Sequence, residues 1–99
     1  GLKVITMVFV TVNTHDPEKL KLFSRTIQEL PEVIECFRMS GEIDYLLKVV
    51  VNDIDSYDSF YKRLIEKVQF LKVTSHFVIE EVKSTTEIPL SHLENKLNG

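Results

Sequence analysis

The chain is poor in the residues that cross-link, stiffen or unravel a polypeptide: among its 99 residues are one cysteine, three prolines and three glycines, with no tryptophan. A single thiol, Cys36, excludes an intramolecular disulfide framework. So little Gly and Pro argues against a disordered or linker-like chain. The apolar runs are broken by Thr, Lys or Asp well short of the roughly 20 residues that cross a bilayer. A strong charge of one sign is missing too. Fifteen acidic against twelve basic residues leave a formal net charge of -3, which gives a nucleic-acid backbone no broad electrostatic attraction. No basic leader precedes a signal-like apolar segment, and the opening Gly1 leaves both a processed chain and a fragment open. The expectation is one soluble cytoplasmic domain, with no membrane association and no direct nucleic-acid binding by this chain alone.

Clusters that carry chemistry are scarce as well. His15, His76 and His92 are far apart, and no Cys, His or carboxylate group has the spacing of a zinc or iron site, so no metal or cofactor is expected. Cys36 lacks a catalytic signature and reads as a small packing residue on an apolar strand. Glu80 and Glu81 read as a solvated strand end or an interface ion pair rather than a hydrolytic acid pair. Tyr57, Phe60 and Tyr61 belong to a helix face and to the core, not to base stacking.

What the chain does have is 43% hydrophobic content, enough for one compact core, arranged in two halves of similar grammar. Val4 to Val12 is apolar or Thr at nearly every position, the pattern of a central strand covered on both faces. Asn13 to Pro17 turns the chain, with Asp16 placed to cap a helix and Pro17 where a missing N–H costs little. Leu20, Phe23, Ile27 and Leu30 then form one helical stripe, which Pro31 ends. Val33 to Ser40 is the next strand, with Glu35 and Arg38 relieving its more exposed parts.

The second half repeats this order. Ile43 to Val51 predicts a strand with Ile43, Tyr45, Leu47, Val49 and Val51 on one face and Leu46 and Val50 on the other. Asp55 is placed to cap a helix starting near Ser56, with Asp58 in its acidic first turn and Tyr57, Phe60, Tyr61, Leu64, Ile65 and Val68 as its apolar face. Phe70 and Leu71 close the core before a last strand from Val73 to Val82. The fold class is α+β, a ferredoxin-like β-α-β-β-α-β sandwich with an antiparallel sheet. Its helices cover one sheet face. The other face is expected to bind a second copy, giving a C2 homodimer by sheet-on-sheet packing. The core is expected over residues 1–83, with 84–99 a C-terminal segment involved in assembly. In that segment Ile88, Pro89 and Leu90 read as a short edge addition and Ser91 to Leu97 as a terminal turn or helix.

Three blocks resemble a known family. Pro31-Glu32-Val33-Ile34-Glu35-Cys36-Phe37, then Ser40-Gly41-Glu42-Ile43-Asp44-Tyr45-Leu46-Leu47-Lys48-Val49, and finally Phe77 to Thr86 with Pro89-Leu90, are similar to the ligand-sensing and oligomerisation (RAM) domain of the Lrp/AsnC transcriptional regulators. The resemblance spans almost the whole chain. It implies a domain of a feast/famine regulator that senses a free amino acid, forms dimers and often a tetramer of dimers, and is not an enzyme. Family members that bind DNA carry a helix-turn-helix ahead of this domain, for which the sequence has no room before Val4, so the resemblance implies either an excised C-terminal sensor domain or a stand-alone form. An aromatic residue often stands in the family where this chain has Ile43, which implies a smaller pocket or another ligand.

Gly41 permits a tight turn, Asp44 is able to accept from an amino group, and nearby peptide N–H groups suit a carboxylate. The resemblance implies effector contacts from Ser40, Gly41, Glu42 and Asp44, met by residues of another subunit, with Ser84, Thr85 and Thr86 as hydroxyl contributors. The plainer reading of the same residues is a β-turn in which Asp44 caps the turn or pairs across an interface. Two other functions stay open from the residues. One is a structural domain that co-assembles with related regulators without binding an effector. The other is a small dimeric enzyme using His15 or Asp44 for proton transfer.

Overall fold

A computed structural model of the chain describes residues 3–69 and 71–89. The order is β1 (Val4–Val12), α1 (Pro17–Glu29), β2 (Val33–Arg38), β3 (Tyr45–Val51), α2 (Ile54–Lys67) and β4 (Leu71–Phe77). The strands form one four-stranded sheet in the order β2-β3-β1-β4, with every neighbouring pair antiparallel. This is the expected β-α-β-β-α-β ferredoxin-like topology.

Register decides which side chains share a face. Val8 lies opposite Leu47 on β3 and Ser75 on β4, and Val10 opposite Tyr45 and Val73. These residues face the helices. Val8, Val10, Leu47, Val49, Phe60 and Leu64 are fully buried there, joined by Phe23, Ile27, Leu30, Val51, Tyr57 and Val68. Each large aliphatic or aromatic side chain buried this way contributes about 1.5–3 kcal/mol through removal of apolar surface from water. Thr6 is buried on the same face, and its hydroxyl has no hydrogen-bond partner. The Tyr57 hydroxyl meets Ser75 Oγ; burial nevertheless pushes this phenol's pKa up, an effect that the hydrogen bond partly offsets.

The start of α1 follows the sequence closely. Asp16 Oδ1 accepts from the Glu18 N–H at 3.0 Å, and Thr14 Oγ1 accepts from the Asp16 N–H at 3.1 Å. The start of α2 corrects the expectation. Its cap is Asp53, not Asp55: Asp53 is extended, at φ -156°, and its Oδ1 accepts from the Ser56 N–H at 2.7 Å. The helix therefore starts at Ile54, with Asp55 in its first turn. Asp58 instead pairs with Lys62 at 2.8 Å one turn on. Asp53 follows directly on the end of β3, so it is the first carboxylate able to reach the free amides once the chain leaves the sheet.

Other boundaries also move. β2 stops at Arg38 and β3 starts at Tyr45 because residues 39–44 form a closed loop, not strand. β4 ends at Phe77, short of the expected Val82. Val78 donates one more bond to Ile5 O at 2.8 Å, and β1 itself begins at Val4, so the strand runs out of partner. Residues 78–89 have no regular structure, and Ile79, Val82 and Ile88 stand exposed. Ile65, expected on the apolar face of α2, is 37% exposed on its flank. Phe70, Leu90 and the segment Ser91 to Leu97 lie outside the described residues.

Candidate functional site

The loop between β2 and β3 is pinned at three points. Met39 N–H donates to Asp44 O at 2.9 Å, closing the loop on itself, and Asp44 N–H donates to Val10 O at 2.9 Å. Asp44 Oδ2 accepts from the Val12 N–H at 2.7 Å, a bond from a part-buried carboxylate to the end of β1. Gly41 at the tip has φ +97°, a left-handed conformation that L side chains seldom adopt. A Cβ there would meet nothing within 4 Å, so backbone conformation alone favours glycine.

The loop also divides its side chains between the two sides of the sheet. Asp44 and Met39 line a cavity of about 280 Å³ on the helix side, together with Val12, Thr14, His15, Leu20, Arg38 and Tyr45. Glu42 and Ile43 line a second hollow, of about 360 Å³, on the opposite face with Phe9, Thr11, Lys72 and Thr74. Ser40 and Gly41 are exposed and line neither. Ser84, Thr85 and Thr86 lie in the exposed segment after β4, where Thr85 Oγ1 accepts from the Glu87 N–H at 3.1 Å. Among the described residues, no hydrogen bond joins these hydroxyls to the loop of the same chain. One chain thus gathers part of the expected set around Asp44 and leaves the rest on separate surfaces.

Sequence reasoning passed over Arg38 and Thr14 as parts of this cavity, and named His15 with Asp44 only for the proton transfer of an enzyme reading. Arg38 was expected to relieve an exposed strand, and it is exposed. Its register partner is Tyr45 and, two residues back, Cys36 lies opposite buried Leu47, which in addition puts Arg38 on the helix side. Alternation along β2 was the available signal, but it needed the pairing with β3 to acquire a direction. Cys36 itself borders a smaller cavity of about 230 Å³ with Phe23, Ile27 and Tyr45, and burial pushes its thiol pKa up, away from the reactive thiolate.

The far sheet face is the other notable surface. Ile5, Met7, Phe9, Leu46 and Val50 are only half-buried there, Phe37 is 48% exposed, and Phe9 rests against the His76 ring at 4.9 Å. Lys48 and Glu35 pair across it at 3.6 Å. Among the described residues there is no group of three or more His, Cys, Asp or Glu side chains placed to hold a metal, and no helix long and apolar enough to cross a membrane.

A ferredoxin-like sheet with one uncovered apolar face and a pinned, glycine-tipped loop beside a mixed polar and apolar cavity defines a small ligand-binding and assembly module. Residues 5–88 match the protein family described as the Lrp/AsnC ligand binding domain. The glutamate uptake regulatory protein of Zymomonas mobilis is 38% identical over 96 residues, which are 97% of this chain and 58% of that protein. The crystal structure of an AsnC family transcriptional regulator from Agrobacterium tumefaciens superposes with a TM-score of 0.80 at 49% identity, covering 92% of this chain and 60% of that one. A transcriptional regulator from Neisseria meningitidis, solved in complex with L-methionine, superposes equally well, with a TM-score of 0.80 at 28% identity over 91% of this chain and 58% of that one. The chain belongs to the Lrp/AsnC ligand-binding domain family. It is a ligand-binding and oligomerisation domain of the feast/famine regulator type and not an enzyme, and it spans about 58% of the length of the Zymomonas relative.

Proposed function

We propose that this domain binds a free amino acid beside the loop of residues 39–44 and couples that binding to its own assembly. The observation that carries the reading is the loop itself. Asp44 ties the ends of β1 and β3 together with one carboxylate oxygen and borders a cavity large enough for a small zwitterion. The Neisseria relative bound to L-methionine supports an effector of this class. Asp44 acts from the cavity wall, while Ser40, Gly41 and Glu42, which lie outside that cavity, act with Ser84, Thr85 and Thr86 of a neighbouring copy, which supplies the hydroxyls that the chain's own exposed segment keeps away from its loop.

Assembly proceeds through the uncovered sheet face, first as a homodimer and then as a tetramer of dimers, with mixed assemblies formed with related regulators. The core unit is residues 1–83, and residues 84–99 extend the assembly. The working location is the cytoplasm, where a ligand that binds only the assembled form shifts the oligomer equilibrium and, in a complete regulator, repositions attached DNA-reading domains. Isothermal titration calorimetry against the common amino acids, at a protein concentration where light scattering shows one constant oligomer, tests this. Saturable binding to a subset is expected. No binding to any of them would favour the second reading, an assembly domain without an effector, in which the bond from Asp44 to Val12 is the motif's whole purpose.

A further inference from the structure

We infer that Arg38 is the carboxylate anchor of the amino-acid site, and that the helix-side cavity selects an uncharged, apolar side chain. This rests on the amino-acid-binding reading above and deepens it. The ion pairs among the described residues join Lys21 to Glu18, Lys48 to Glu35, Lys62 to Asp58 and Arg63 to Glu32; Arg38 takes part in none of them. Arg38, exposed at the end of β2, lines the same cavity as Asp44, whose Oδ2 is engaged by Val12 while Oδ1 makes no hydrogen bond among the described residues. A permanently charged planar cation and a carboxylate with one oxygen to spare form the complement of a zwitterion: the guanidinium forks onto the carboxylate and Oδ1 accepts from the ammonium.

The remaining wall decides the side chain. Val12, Leu20, Met39 and Tyr45 supply apolar surface, and Thr14 and His15 supply the polar rim. Among the described residues, Arg38 is the cavity's one arginine or lysine. Once it is engaged by the α-carboxylate, a second carboxylate on the ligand meets no further guanidinium or ammonium there, only the Thr14 and His15 rim, and lies against the apolar surface of Leu20 and Met39. Leucine- or methionine-sized side chains bury apolar surface there instead. The loop backbone and the Asp44 carboxylate are held ready before binding by the bonds from Met39, Asp44 and Val12, which leaves the exposed Arg38 side chain as the part the ligand orders.

The test is calorimetry on the assembled wild-type chain and on Arg38→Gln, each titrated with L-leucine, L-methionine, L-glutamate and 3-methylbutylamine, which is leucine without its carboxylate. The wild type is expected to bind leucine or methionine. Loss of the carboxylate from the ligand, or of the guanidinium from the protein, should each weaken binding about 10- to 100-fold, and together by no more than either alone. Equal leucine affinity in Arg38→Gln, or full additivity of the two losses, overturns the anchor. Glutamate binding more tightly than leucine and methionine overturns the side-chain half. Weaker leucine binding by Arg38→Gln only where light scattering also shows dissociation assigns Arg38 to the interface and overturns it as well. If the wild type binds no amino acid at all, the proposed function itself falls, an outcome distinct from a wild type that binds while Arg38→Gln matches it.

Discussion

The two faces of the sheet are made from the same alternating strands and end in different states. On the helix side Thr6, Val8, Val10, Leu47 and Val49 are at zero exposure; on the other, Ile5, Met7, Phe9, Leu46 and Val50 are half-buried and Phe37 is 48% exposed. Apolar content is similar, so hydrophobicity does not separate them. Cover does: α1 and α2 both lie on one side, and nothing within the described chain lies on the other. One face has its partner in the same chain, whereas the other is the face through which we propose that a second copy packs.

Substitutions that act on one face and spare the other test that contrast. Phe60, fully buried beneath α2, should be the costliest: Phe60→Ala is expected to lose about 3–5 kcal/mol of unfolding free energy in a denaturant titration. Leu46→Lys on the open face should leave the monomer's far-ultraviolet circular dichroism intact yet lower the molar mass seen by light scattering. If it unfolds the chain outright, the two faces are not separable. Asp44 links the faces through the loop, so Asp44→Ala, which removes a charged acceptor from the Val12 amide, should cost about 1.5–3 kcal/mol, with Asp44→Asn retaining an acceptor and costing less. Thr6→Val removes a buried hydroxyl that has no partner; a gain of about 1 kcal/mol is expected on the helix side, and a loss would mean the hydroxyl is satisfied in solution.

The smallest effect belongs to the helix cover itself. The Asp53 carboxylate pKa is lowered by its hydrogen bonds with Ser56 at the start of α2. A carboxylate whose folded pKa lies below its unfolded value adds stability above the unfolded pKa and loses it as pH falls through the folded one. Asp53→Asn should therefore lose the carboxylate's small contribution at pH values above roughly 4, neutrality included, and flatten the fall in stability as the pH drops below that. A profile identical to wild type in acid would remove the capping role.

Strands, helices and their order were legible because their signals are local. Val4 to Val12 reads as a central strand from its own residues, although the described chain covers only one of the two faces expected to be covered, and the Asp16-Pro17 pair marks a helix start within two positions. Local signals failed at the start of α2. Asp55 reads as its cap in the sequence, whereas the structure uses Asp53, two residues earlier, because the end of β3 delivers it to the free amides first. The last strand was drawn too long for a related reason: Ile79 and Val82 have strand-like side chains, but β1 begins at Val4 and offers them nothing to pair with.

The candidate site shows the same division. Asp44 and Gly41 stand out in the chain because they fall within the block that resembles the Lrp/AsnC domain; by itself a glycine three residues before a carboxylate is also the pattern of an ordinary turn. Arg38, Leu20 and Thr14 do not stand out, since each has an ordinary local reading as a strand end, a helix stripe or a turn, and His15 stands out only for the enzyme reading. The sequence by itself determined the element order, the apolar stripes, the expected uncovered face and the loop's glycine. These depend on period and backbone preference, which act over a few residues. Tertiary structure alone decided that Asp44 bonds to Val12, 32 positions away, that Arg38 shares its cavity, and that Glu42 and Asp44 turn to opposite sides of the sheet. Those depend on strand register, where a slip of one residue exchanges the faces and no neighbouring residue records the choice.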